Sequence, residues 1–216
     1  MDYKETLWQK IFSRIYLIAI SNLLWLVGLV VGLGAVGLIP SSIAVIHLWQ
    51  YRKDPSRLIR ANLWRDFWQV YGRAIRTYWK ESGLLSLSLL IILTTVYYLS
   101  YGRTVGAMLL FYLNTISFIL LCLVGEWFIY LSARFEAYSQ IERLRNALSY
   151  TLARMGELII FKVFFWTGMA LLWRISPGFI VLAGPGIFWC THAAFYEAIT
   201  SGKGFNQFRH YWRRDD

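Results

Sequence analysis

Between Arg14 and Arg52 the chain runs 37 residues without an Asp, Glu, Lys or Arg. Charge-free runs of more than 20 residues recur at 82–102, 104–125 and 175–196. A helix needs about 20 apolar residues to cross roughly 30 Å of hydrocarbon. Runs of this length and apolarity point to helices. The expected fold is all-α: one polytopic membrane bundle over residues 1–216, with about six transmembrane helices and two cytoplasmic amphipathic helices.

Hydrophobic residues make up 57% of the chain and charged ones 16%, short of the quarter common in soluble domains. Its 11 Trp, 14 Tyr and 14 Phe suit aromatic belts at two membrane–water interfaces. Cys122 and Cys190 both fall inside apolar runs and read as buried thiols, not as a disulfide or metal pair. The first run is too long for a signal-peptide core and lacks a small-residue cleavage site, so Met1 is expected to stay.

The opening run is too long for one crossing, about 52 Å over 15–49 at about 1.5 Å per residue. Gly28, Gly32, Gly34, Gly37 and Pro40 mark where it turns. The expected spans are 12–31, 35–51, 84–101, 105–131, 158–173 and 178–200, with a re-entrant second segment as the alternative. Six crossings put 19 of the 22 Lys and Arg on one side. Arg103 and Arg174 occupy the opposite loops, and Lys162 lies within a span. The positive-inside rule makes the crowded side cytoplasmic, so both termini are expected in the cytoplasm of a cell (plasma) membrane protein. The net charge of +10 is then explained by topology and anionic headgroups. Lipid is the expected partner, and nucleic acid is not.

Two cytoplasmic segments show amphipathic periodicity. Over 55–81, Asp54 suits an N-cap and Pro55 the first helical position, while Ser82-Gly83 marks the exit. Ile59, Leu63, Phe67, Val70, Ala74 and Tyr78 form an apolar stripe, opposed by Arg65, Gln69, Arg73, Arg76 and Lys80. Trp64, Trp68 and Trp79 add interfacial aromatics. The candidate interface residues are Leu63, Phe67, Trp68, Arg73 and Arg76. Over 132–155 a second stripe runs through Ala137, Ile141, Leu144, Leu148 and Leu152. Either helix can lie in the headgroup plane or dock a cytoplasmic partner.

Charged groups at membrane depth are costly and face a partner or a water-filled cavity. Glu126, Lys162, His192 and Glu197 fall near one depth if their spans are antiparallel neighbours. A Glu126–Lys162 or Glu197–Lys162 pair is expected, serving either helix packing or a proton- or substrate-linked site. A Lys162 that snorkels to the headgroups is the alternative. Asn22 and Asn114 fall near mid-membrane, where Asn more often bonds between helices than binds ligand. Gly184-Pro185-Gly186 is expected to break or kink the last span, as either a packing feature or a transporter site.

No catalytic, cofactor-binding or metal residues emerge. The three His have no metal-ligand spacing with Cys or acids, and no phosphate loop or Ser nucleophile motif is present. An enzyme is not expected.

Asn22-Leu23-Leu24-Trp25, leading to Pro40-Ser41-Ser42-Ile43-Ala44, resembles the N-terminal signature of the YesL-like family, a bacterial membrane family built on a domain of unknown function. Arg65-Asp66-Phe67-Trp68 falls where such proteins carry an aromatic helix, and Asn146-Ala147 where they carry an Asn-Ala element. The likeness implies an accessory or assembly role beside carbohydrate-uptake ABC transporters, with permease or ATPase subunits as partners. It brings no catalytic residues, and no permease ATPase-coupling motif is present. An independent small transporter is the alternative, with a cavity lined by Asn22, Asn114, His192 and Glu126.

Overall fold

A computed structural model describes residues 7–53, 62–102, 104–135 and 138–201, without the side chains of 7–10, 52–53, 179, 181 and 182. Among the described residues the chain is helical and strand-free. The helices are α1 (Leu7–Val31), α2 (Leu38–Leu48), α3 (Leu63–Leu99), α4 (Val105–Arg134), α5 (Gln140–Ala153), α6 (Met155–Ile175) and α7 (Pro177–Thr200). A 3-10 turn, Trp49–Lys53, follows α2. Four of these are long and apolar enough to cross a bilayer: α1, α3, α4 and α6. The protein is an all-α membrane bundle. α7, at 24 residues, reaches about 36 Å.

α2 departs from the expected span 35–51. Eleven residues reach only about 16 Å, and the 3-10 turn does not extend them to the roughly 30 Å of hydrocarbon. The chain reverses early because Leu33 and Gly34 take positive φ, +53° and +74°. A Cβ on Gly32 would lie 2.2 Å from the Cα of Gly37, so the two limbs of the turn touch backbone to backbone. α2 is then enclosed by α1, α3, α4 and α7. Nine of its eleven residues are buried, Ser41 and Ser42 included.

Enclosure leaves a helix N-terminus with N–H groups to satisfy away from water. Ser82 answers this: its hydroxyl accepts from Ile39 N at 3.2 Å and donates to the Ala35 carbonyl at 2.8 Å. Ser86 donates to the same carbonyl at 2.9 Å. Tyr71 donates to the Gly28 carbonyl at 2.9 Å, and Tyr51 to the Asp66 carboxylate at 2.5 Å. These bonds tie α1, the turn and α3 around α2.

The expected break at Ser82-Gly83 is absent. α3 is one helix of 37 residues, about 55 Å long, joining the amphipathic segment to the following span. It starts at Leu63, with Asn62 accepting from Arg65 N. The Asp54–Pro55 start and Ile59 lie outside the described residues. Leu63, Phe67, Tyr71, Ala74, Tyr78 and Ser82 form its buried face. That face packs on α2 rather than on headgroups, because a helix continuous with a span cannot also lie flat in the interface plane. Trp68 is half-buried among Trp64, Phe67 and Tyr71, and Arg73 and Arg76 are exposed.

α5 turns the opposite face inward from the one its apolar stripe predicts. Arg143, Ala147 and Thr151 are buried, whereas Ile141, Leu144, Leu148 and Leu152 are exposed. An aqueous surface would penalise that arrangement; a lipid interface accommodates it. The helix is held by a capping box, in which Ser139 Oγ accepts from Glu142 N and the Glu142 carboxylate accepts from Ser139 N.

Candidate functional site

α4, α6 and α7 converge on Lys162. Its ammonium donates to both oxygens of Glu126, at 2.6 and 2.5 Å, and to Nε2 of His192 at 2.8 Å. A lysine ammonium has three protons, and each has an acceptor here. His192 Nδ1 lies 2.7 Å from the Phe188 carbonyl, which can only accept, so Nδ1 carries the proton. This leaves Nε2 as the acceptor toward Lys162; the tautomer follows from the bonding network. Tyr196 completes the set by donating to Glu126 Oε2 at 2.6 Å.

Local sequence explains the convergence. His192 and Tyr196 are four residues apart and share a face of α7, while Phe188, one turn earlier, offers the carbonyl. Aromatic rings wall the imidazole: Phe188 stacks at 3.9 Å, and Phe161 and Phe165 present edges at 4.9 and 5.0 Å. His192 is wholly buried, and the Lys162 and Glu126 side chains keep 15% and 12% of their exposure. A buried pair is tolerated when geometry is good and remaining lone pairs are bonded, and Tyr196 and His192 supply those bonds.

A second ion pair lies further along the same two helices. Arg134 of α4 donates to Glu197 of α7 at 2.8 Å, beside a Tyr130–Thr200 hydroxyl pair at 3.2 Å. Between the pairs Trp127 stacks on Tyr150 at 4.8 Å and lies against Tyr196 at 4.3 Å. The α4–α7 contact is thus a ladder of polar and aromatic rungs.

Of the sequence candidates, Glu126, Lys162 and His192 meet, and Glu197 takes Arg134 instead. Asn22 is buried elsewhere, its Oδ1 accepting from Gly186 N at 3.2 Å. Gly186 permits that approach: a Cβ there would lie 2.6 Å from the Ile18 carbonyl. Asn114 is half-exposed and bonds back to the Leu110 carbonyl at 2.9 Å. It lies about 18 Å along α4 from Glu126, twelve residues at about 1.5 Å each. Asn22 and Asn114 therefore do not join His192 and Glu126 around one cavity. Nor does Pro185 break the last span, since α7 runs through it.

Sequence reasoning missed Tyr196, Arg134 and Phe188. For Tyr196 the i+4 spacing from His192 was a readable signal. Arg134 counted only as a topology residue, and nothing in sequence marks a backbone acceptor. Among the described residues, no group of three or more His, Cys, Asp or Glu could hold a metal ion.

A family model described as "Protein of unknown function, DUF624" matches residues 18–100, less than half of the chain. The match covers most of α1 and all of α2 and α3, and ends before the charged cluster. No curated protein and no solved structure matches the chain.

Proposed function

We propose that the chain is a non-catalytic integral membrane subunit with an accessory or assembly role. The transport system it serves is a carbohydrate-uptake ABC transporter of the cell membrane. One observation carries the reading: all three protons of the Lys162 ammonium go to internal acceptors, and Tyr196 bonds the carboxylate they share. The most chemically capable group within the bundle acts as a fastener between α4, α6 and α7, offering nothing to a substrate. Long apolar surfaces on α3, α4 and α6 give room for other transmembrane helices as well as lipid. The resemblance to YesL-like proteins supplies the carbohydrate system, with permease or ATPase subunits as partners. Cytoplasmic termini follow from the charge asymmetry.

The test is purification of the full-length protein in mild detergent after crosslinking in its native membrane. A carbohydrate permease or its ATPase should co-elute in stoichiometric amount. A protein that elutes alone and moves solute when reconstituted by itself would replace this reading with the independent transporter.

A further inference from the structure

Two neighbouring hollows between α2, α3, α4 and α5 serve none of the roles above. The one near the α4–α5 connection is a pocket of about 230 Å³ lined by Ile43, Arg73, Thr77, Tyr78, Ser132 and Arg143, among others. That volume would take about seven waters at about 30 Å³ each. Three features give it a chemical preference. Ser132 is buried to 4% exposure, yet its hydroxyl has no hydrogen-bond partner among the described residues. Arg73 makes no side-chain bond with a described residue, although it lines the same space. Arg143 is buried to 6% exposure and is positioned by bonds to the Tyr78 hydroxyl and the Phe135 carbonyl. A buried hydroxyl without a partner is costly, and guanidinium groups match the oxygens of a phosphate.

The geometry points to a binding site for a phosphate group. The Arg73 guanidinium and the Ser132 hydroxyl hold its oxygens, and Arg143 supplies charge from the wall. Further along the same faces of α3 and α4, an apolar groove of about 340 Å³ is lined by Leu84, Leu85, Leu121, Val124 and Phe128. It suits the acyl chains of a phospholipid whose headgroup fills the pocket. Glu81, also lining the groove, has a buried carboxylate oxygen without a partner and disfavours an anion there, which restricts phosphate to the arginine end.

The full-length protein in detergent, as wild type, Arg73→Gln, Ser132→Ala and Arg76→Gln, separates the possibilities. Arg76 is exposed on the same helix but does not line the pocket, so its variant controls for lost charge. Ser132→Ala removes a hydroxyl that bonds to nothing described, so the fold should keep its stability. Native mass spectrometry measures retention of phosphatidylglycerol against a diacylglycerol with the same chains. Thermal stability is read with inorganic phosphate against chloride at matched ionic strength.

Arg73→Gln and Ser132→Ala should each lower phosphatidylglycerol retention about tenfold, one charge-assisted hydrogen bond's worth. Arg76→Gln and diacylglycerol retention should be unchanged. Equal lipid retention in all variants, with phosphate stabilising wild type but not Ser132→Ala, would assign the same site to a free phosphorylated solute. Wild-type behaviour of Arg73→Gln and Ser132→Ala in both assays would overturn the site. So would a loss in Arg76→Gln equal to that in Arg73→Gln.

Discussion

Along α4, Val105, Leu109, Leu113, Ile116 and Ile119 point outward, whereas Leu123, Trp127, Tyr130 and Leu131 are buried. One helix, apolar throughout, therefore passes from a surface into a core. Hydropathy cannot account for this, since an aliphatic side chain gains little by exchanging lipid for protein. The inner half has something to bond. Glu126, Arg134 and Tyr130 each find a partner on a neighbouring helix, and Ser82 and Tyr71 do the same for α3. Across the outer half the side-chain hydroxyls and amides return to their own helix: Thr94, Thr95, Asn114, Thr115 and Ser117 each bond the carbonyl four residues back. Only 6% of the most apolar stretch of α3, and likewise of α4, is buried. Polar bonds and close backbone contacts decide where this bundle is a protein core and where it is a lipid surface.

The sharpest way to break that contrast is at Glu126. Glu126→Leu leaves the Lys162 ammonium buried without its carboxylate and should cost about 3–5 kcal/mol, read as unfolding free energy in detergent. A loss no larger than that of an outer-half Leu→Ala change would show that the pair does not hold the helices.

Leucine truncations sharpen the same boundary. Leu131→Ala should cost about 2–5 kcal/mol, because its packed site cannot refill. Leu113→Ala should stay within about 0.5 kcal/mol, since lipid or detergent chains take up the space. Equal costs would place both residues in one environment.

Backbone approach gives the next effect. Gly186→Ala sets a Cβ 2.6 Å from a backbone oxygen of α1 and should cost about 1–3 kcal/mol. Gly168 of α6 has open space around it, so Gly168→Ala should raise helix stability by up to about 1 kcal/mol. A neutral Gly186→Ala would mean that α1 and α7 do not pack this closely.

The smallest effect concerns α5. The Ser139 backbone N–H, and then the Ser139 hydroxyl, hold the Glu142 carboxyl below its ordinary range. A lowered folded-state pKa contributes stability above the unfolded value, about 4.3 for Glu, and loses it as pH falls through the folded value. Protection of the amides at the start of α5, relative to their intrinsic exchange rate, should therefore fall below pH about 4, and Glu142→Gln should abolish that dependence. Unchanged protection in wild type across this range would show that the cap does not hold the helix.

What the sequence made legible follows the same division. Charge-free length gave the spans of α1 and α4 and the apolar half of α3, and depth counting brought Glu126 and Lys162 to one level. Periodicity found the buried face of α3 from Leu63 to Tyr78, although it named Val70 where Tyr71 is buried. It misplaced α5, because a stripe of Ile and Leu shows amphipathicity without saying which solvent it meets: Arg143 goes inward to Tyr78 and Ile141 outward. α2 was read as a full span, with re-entry as the alternative, because burial among four helices leaves no polar face to show that it stays short. The missing break at Ser82-Gly83 has a similar cause. A Ser–Gly pair reads as an exit locally, yet Ser82 is retained in the helix by bonds to Ile39 and Ala35, more than forty residues away in sequence.

The claim that the charged cluster is a fastener is tested most directly by a double-mutant cycle on Glu126 and Lys162. Unfolding free energies of wild type, Glu126→Leu, Lys162→Met and the double variant are needed in one detergent. A fastener gives a coupling energy of about 2–3 kcal/mol, with the double variant more stable than either single one. Additive losses would contradict it, because the two side chains would then be contributing to the bundle independently.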